Sequence, residues 1–225
     1  MNKINVQTVY NIHQQNLNFC KEFDFNFVKN KITDLNFWKN KDAARLPATF
    51  YFSQYVKQFN LTSKKLLSFG GLYDPECKMF PKDKWVDCDY WINDKHDIEN
   101  LHDSNLDKDF DFCFANQIFE HLMEIEESIK NIKKHLITGG YFYSNFPVIN
   151  IPHGEPFYFF TGITVQYIIY LLIKNNFKIL VSGQWGNEDY IKHIYTYLSW
   201  PDYTQIKLNN DINRPCIGWV LAQKQ

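Results

Sequence analysis

Five short stretches hold residues that do chemistry when a fold brings them together. "FANQIFEH" places Asn116, Gln117, Glu120 and His121 close along the chain, and "NFPVINIPHGEP" places His153 between Pro152 and Pro156. A neutral imidazole takes a proton from an acceptor hydroxyl or amine. His153 is therefore the first candidate base and His121 the second. Each also has an ordinary use, His121 in capping or packing and His153 as a hydrogen-bonded loop residue. "WVDCD" offers Asp87 and Asp89, and "HDIENL" offers Asp97. A strand-end carboxylate accepts hydrogen bonds from the hydroxyls of a ribose; a second can accept one from an adenine amino group. The alternative at both positions is a solvated loop acid. "LLSFGGLYD" stops an apolar run at Gly70 and Gly71. Glycines there either let a ligand approach the backbone or simply make a tight turn.

Gathering these stretches requires a scaffold. From Lys64 onward, short apolar runs alternate with amphipathic ones. "KKLLSF", "KWVDCDY", a weaker run near "HDIENL", "DFDFCFA", "YFYSNFPV", "FKILVSGQW" and "PCIGWVLAQK" read as strands. "IFEHLMEIEESIKNIKKHLI" puts Leu122, Ile125, Ile129, Ile132 and Leu136 on one helical face, with Gly139 and Gly140 as its stop. "ITVQYIIYLLIKNN" reads as another helix. The alternation predicts an α/β, Rossmann-like, mostly parallel seven-stranded sheet with helices on both faces, spanning residues 63–225. Residues 1–62 are predicted as a helical N-terminal extension or cap. Within it, Phe52, Tyr55, Val56 and Phe59 mark an amphipathic helix from about Ala48 to Phe59. In such a sheet, ligands bind beyond the carboxyl ends of the strands. The glycines, the acids and the "FANQ" segment all fall there, and the His153 loop follows a strand.

Composition narrows the partners. The 225 residues suit one large domain, and 45% hydrophobic with 18% aromatic content supports a sizeable core. The net charge of -1, without a basic block, disfavours nucleic acid. Five scattered cysteines form no CxxC pair, so no disulfide framework and no metal site is expected. That pattern fits a reducing compartment. No signal pattern opens the chain, and the longest apolar run, "YIIYLLI", is too short to span a bilayer. A soluble cytoplasmic protein without a membrane partner is expected. Nothing in the sequence indicates an oligomeric state.

The ordered set of strand, glycines, acid, acid, "EH" and "GG" resembles the class I S-adenosylmethionine-dependent methyltransferases of the type 11-like group. The resemblance covers roughly Lys64 to Leu180. Its most specific part is "FDFCFANQIFEHLMEIEESIKNIKKHLITGGYFYSNFP", similar to the family's segment in which a strand leads to an "EH" helix, a "GG" turn and the next strand. The resemblance implies S-adenosylmethionine as cofactor. It implies Gly70 and Gly71 against the amino-acid moiety, Asp89 on the ribose, Asp97 and Ile98 on the adenine side, and Ala115, Asn116 and Gln117 lining the cofactor. "PHGEP…YFFTG" resembles a subgroup associated with small-molecule or glycan modification. This implies O-methylation of a small-molecule or carbohydrate acceptor. Two positions depart from the family: Ser68 stands where an acid usually precedes the glycines, and Leu72 stands where a further glycine is usual. Asp74 is a candidate to compensate for the missing acid. The alternative reading is a binding or scaffold protein that keeps the fold and has lost cofactor binding or catalysis.

Overall fold

Phe112, Cys113 and Phe114 are all fully buried, which a strand achieves only when both faces of its sheet are covered. A computed structural model describes residues 4–17, 42–69, 74–80, 85–87 and 109–225, and shows how that cover is made. The helices are α1 (Val6–Leu17), α2 (Arg45–Gln58), α3 (Ile125–His135), α4 (Val165–Lys174) and α5 (Glu188–Tyr197). The strands are β1 (Leu66–Ser68), β2 (Trp85–Asp87), β3 (Phe110–Phe114), β4 (Leu136–Pro147), β5 (Phe177–Gly186) and β6 (Pro215–Lys224). Their order in the sheet is β2-β1-β3-β4-β6-β5. β1 pairs in parallel with β2 and β3, β3 pairs in parallel with β4, and β6 runs antiparallel between β4 and β5.

The mostly parallel α/β reading agrees with this sheet. The described residues form six strands rather than the expected seven; the weak run near "HDIENL" lies outside them. One face is covered by α1, α3 and α4, through Val9, Ile129, Ile132, Ile168 and Leu172 against Cys113 and Phe142. The other is covered by α2 and α5, through Phe52, Tyr55, Tyr190 and Ile194 against Phe112, Phe114, Tyr143 and Trp219. Space is tight on this face: a Cβ on Gly183 would lie 2.5 Å from the Trp219 indole.

Three local readings need correction. The predicted helix over residues 118–137 is shorter. Phe119–His121 is a single 3-10 turn, and the α-helix begins only at Ile125. At its other end Leu136 is already the first residue of β4, so Gly139 and Gly140 do not stop a helix. They lie inside the strand, where the register against β3 slips and Gly139 takes φ of 79°. A bulge of this kind needs a residue that tolerates positive φ. Helix α2 starts at Arg45, ahead of the expected Ala48, and is not simply amphipathic. Leu46, Pro47, Ala48 and Thr49 are buried in succession, because the N-terminal end of the helix is driven into the core. The sequence reading passed over α5. Its start is marked by Asn187, whose side chain accepts a hydrogen bond from the Tyr190 backbone N–H at 3.0 Å.

Candidate active site at the ends of three neighbouring strands

β1, β3 and β4 are adjacent and parallel, so the segments after their carboxyl ends converge. The chain after β1 brings Asp74 and Glu76; after β3 come Asn116, Gln117, Glu120 and His121; after β4 come Asn150 and His153. α2 points its N-terminal end at the same place and supplies Arg45 and Thr49.

Glu76 sits at the centre with no exposed surface. Its Oε1 accepts from the Thr49 hydroxyl at 2.7 Å and from Asn145 Nδ2 at 3.2 Å. Its Oε2 accepts from Asn116 Nδ2 at 3.5 Å and lies 3.8 Å from the Arg45 guanidinium. Arg45 Nη2 donates to Asp74 Oδ1 at 2.9 Å. Gln117 ties the neighbouring strand ends together. Its backbone N–H donates to the Asn145 carbonyl at 2.8 Å, and its side-chain amide donates to Asn145 Oδ1 at 2.9 Å. It holds φ of 54°, a left-handed conformation that stores strain in a non-glycine residue and recurs at binding sites. Two buried polar atoms of this network have no hydrogen-bond partner, Arg45 Nε and Asp74 Oδ2.

Burial raises the pKa of Asp74 despite the guanidinium beside it. Burial also opposes the charge on Arg45, but the carboxylates of Asp74 and Glu76 outweigh it and keep the guanidinium firmly protonated. Burial pushes Glu76 up to about 7, from an ordinary 4.5. A raised carboxyl means that the folded protein binds more protons than the unfolded chain between those two values. Stability is then greatest below about pH 4.5 and declines as pH rises through about 7. Denaturant midpoints are expected to fall between about pH 5 and pH 8, with Glu76 contributing on the order of 2–3 kcal/mol. Glu76→Gln is expected to flatten that profile.

Beside this network lies a cavity of about 220 Å³, lined by Asp42, Arg45, Gln117, Glu120, His121, Asn150, His153 and Trp200. Its histidines are oriented by the backbone. His121 Nδ1 bonds to the Phe157 carbonyl at 2.5 Å and His153 Nδ1 to the Ile151 carbonyl at 2.9 Å. A carbonyl can only accept, so each Nδ1 carries the proton and each Nε2 keeps a lone pair when the ring is neutral. Burial holds the His121 imidazole below its ordinary 6.5. The two rings meet edge to face with centroids 4.8 Å apart, and His153 also packs on Trp200 and Tyr158. Trp200 is itself pinned by its indole N–H to Asn150 Oδ1 at 2.8 Å. Glu120 is 1% exposed and neither carboxylate oxygen has a hydrogen-bond partner. Burial pushes this carboxyl up to about 7. A larger groove of about 590 Å³ runs along α5, lined by Asp189, Lys192 and Thr196 among others, and shares no lining residue with this cavity.

The sheet order, the covering helices and a polar cavity at the carboxyl ends of β3 and β4 together decide the fold. It is that of the class I S-adenosylmethionine-dependent methyltransferases. Residues 86–144 match a family model described as a methyltransferase domain. Among solved structures, the methyltransferase fold is similar to an S-adenosylmethionine-dependent methyltransferase from Archaeoglobus fulgidus, at TM-score 0.51 and 15% identity, covering 79% of this chain and 93% of that one. It is similar to another from Clostridium acetobutylicum, at TM-score 0.50 and 12% identity, covering 78% and 90%. The [4+2]-cyclase SpnF is also similar, at TM-score 0.52 and 14% identity, covering 83% and 85%. No curated protein matches the sequence. The match and the fold support S-adenosylmethionine as the cofactor.

The methyltransferase fold brings together the expected His121, His153, Asn116 and Gln117, with Ala115 fully buried at the end of β3. Gly70, Gly71, Asp89, Asp97 and Ile98, and the departure at Leu72, lie outside the described residues. Ser68 is fully buried in β1 and accepts from the Cys77 thiol at 3.6 Å. The sequence reading missed Arg45, Thr49 and Glu76 as site residues and gave Glu120 no role. One signal was available: Glu120 precedes His121 directly, and both stand in a run that has to be buried.

Proposed function

We propose that this protein is an S-adenosylmethionine-dependent methyltransferase of the cytoplasm that O-methylates a small-molecule or sugar acceptor. The observation that carries this reading is the pair of orphaned atoms in the buried network. An α-amino acid zwitterion, such as the end of S-adenosylmethionine, presents one anion and one cation. Arg45 Nε is a buried donor without a partner and Asp74 Oδ2 a buried acceptor without one, so the pair matches that end of the cofactor. Asp74 follows Gly70 and Gly71 closely along the chain, and these glycines with Asp89, Asp97, Ile98, Ala115, Asn116 and Gln117 complete the proposed cofactor site. When bound, the cofactor supplies an activated methyl group. The chain's own task is to align the acceptor, exclude water and receive a proton. His153 is the proposed base and His121 the second, each presenting Nε2 because Nδ1 is committed to a carbonyl.

Calorimetry with S-adenosylmethionine, on protein treated with a chelator, tests this. Binding is expected, and it should be weakened by Asp74→Asn. No heat at millimolar cofactor would sink the reading. With a sugar acceptor in hand, His153→Gln is expected to lower kcat about a hundredfold while cofactor affinity stays unchanged. A second reading, a scaffold that keeps the fold without the cofactor, is favoured by Ser68: the position carries no charge and is sealed in β1. Protein purified with S-adenosylhomocysteine bound would exclude it.

A further inference from the structure

We propose that Glu120, His121 and His153 form a binding site for one divalent transition-metal cation. The sequence reading looked to cysteine pairs and expected no metal. The ligand set in the fold is a carboxylate and an imidazole from one 3-10 turn, Phe119–His121, and a second imidazole from the loop after β4. One ligand atom of each lies within 4.8 Å of the others, and His121 Nε2 is 3.8 Å from Glu120 Oε1. Metal–nitrogen bonds of about 2.1 Å at tetrahedral angles place two ligand atoms of one ion about 3.4 Å apart. The longest separation must therefore close by about 1.4 Å, which side-chain rotation supplies.

Three independent features favour a cation here over a chance cluster. Glu120 is buried to 1% exposure with both oxygens lacking hydrogen bonds, and a buried carboxylate left in that state is costly unless something positive meets it. The guanidinium of Arg45 lines the same cavity, yet among the described residues its ion pairs are to Asp74 and Glu76. Both histidines donate Nδ1–H to backbone carbonyls, of Phe157 and Ile151. That is the outer-shell bond by which metal-binding histidines are oriented with the other nitrogen toward the ion. The loop carrying one of these carbonyls is in turn fastened to Glu120, whose own carbonyl accepts from the Phe159 and Phe160 N–H groups at 2.9 and 3.2 Å. The three ligands and their supports thus form one connected unit.

Two neutral nitrogens and one carboxylate suit zinc, iron(II), cobalt(II) or nickel(II) rather than magnesium or calcium. Three protein ligands leave positions open toward the cavity, where a hydroxyl or water oxygen can bind and lose its proton more readily. Were a cation bound, it would take up the Nε2 lone pairs and His153 would act as ligand; the cation would acidify a bound acceptor hydroxyl, whose proton would pass to solvent water. The inference concerns the same cavity as the methyltransferase reading but does not require the cofactor to bind.

Titration of chelator-treated full-length protein with cobalt(II) alone, followed by visible absorption and by calorimetry, is the test. One equivalent is expected to bind with imidazole-type bands, and zinc is expected to displace it. Glu120→Gln, His121→Ala and His153→Ala should each weaken binding about tenfold or more, whereas His193→Ala on α5 should not. If Glu120→Gln fails to fold, His153→Ala decides, since His153 is only half-buried on a loop. Absence of binding overturns the proposal. So does one equivalent that survives all three substitutions, which would place the cobalt on another of the seven histidines. Because no S-adenosylmethionine is present, failure here is separate from failure of the cofactor titration.

Discussion

Replacing Arg45 by methionine is expected to cost about 3–5 kcal/mol of folding stability, because it leaves two carboxylates buried without their cation. Methionine fills the space of the aliphatic stem but removes the 2.9 Å bond to Asp74 and the contact 3.8 Å from Glu76. Asp74 has one oxygen without a partner even with Arg45 present, so the loss leaves it without any described ion pair. Glu76 retains Thr49, Asn145 and Asn116 as donors. The deficit is expected to shrink as pH falls, since both carboxyls are already raised by burial and protonate readily once the guanidinium is gone. Equilibrium urea unfolding at about pH 5 and pH 8 measures this. A deficit that is equal at both values, or larger at the lower one, would contradict the electrostatic account. Adding Asp74→Asn and Glu76→Gln to Arg45→Met should recover part of the loss, because removing all the charges is less costly than removing one.

Phe52→Ala is expected to cost a similar 3–5 kcal/mol, this time through packing. The Phe52 ring is fully buried and lies 4.4 Å from Tyr143, 5.3 Å from Phe114, 6.0 Å from Phe112 and 6.2 Å from Phe80, centroid to centroid. It is the point at which α2 enters the sheet's aromatic layer. Truncation removes apolar burial and leaves a void that neighbouring rings cannot fill without leaving their rotamers. Phe52→Leu should cost much less, about 1.5 kcal/mol or under. The consequence reaches the site, because Arg45 and Thr49 precede Phe52 on the same helix and Tyr143 Oη is bonded to the Ala48 carbonyl at 3.1 Å. A lower unfolding midpoint at unchanged denaturant slope is the expected signature. An unchanged midpoint would show that α2 contributes little to the fold.

Hydrophobic patterning carried most of the architecture. The runs around β3, β4, β5 and β6 are continuous or alternating because parallel and central strands bury both faces, and this periodicity is a local property of the chain. The same logic made Asn116, Gln117, His121 and His153 visible, since they follow strands closely enough for the strand-end rule to apply. It failed where a local pattern had two outcomes. The sequence from Ile118 to Ile137 has helical spacing throughout. The 3-10 turn at Phe119–His121 and the early start of β4 arise instead from tertiary pairing, with Phe110 opposite Leu136 and the His121 ring bonded to the Phe157 carbonyl. Gly139 read as a helix stop because its tolerance of positive φ serves equally in a bulge.

The amino-acid sequence by itself determined the alternation of strands and helices, the covered parallel sheet and the end of it at which chemistry is located, because these follow from periodicity and from residues that act on their immediate neighbours. Only the tertiary structure decided which polar residues share the site. Arg45 meets Asp74 and Glu76, and Glu120 meets His153, across separations along the chain that no spacing rule spans. What selects them is burial: a charge removed from water must find a partner in space, and the register of three adjacent strands sets which partners are within reach.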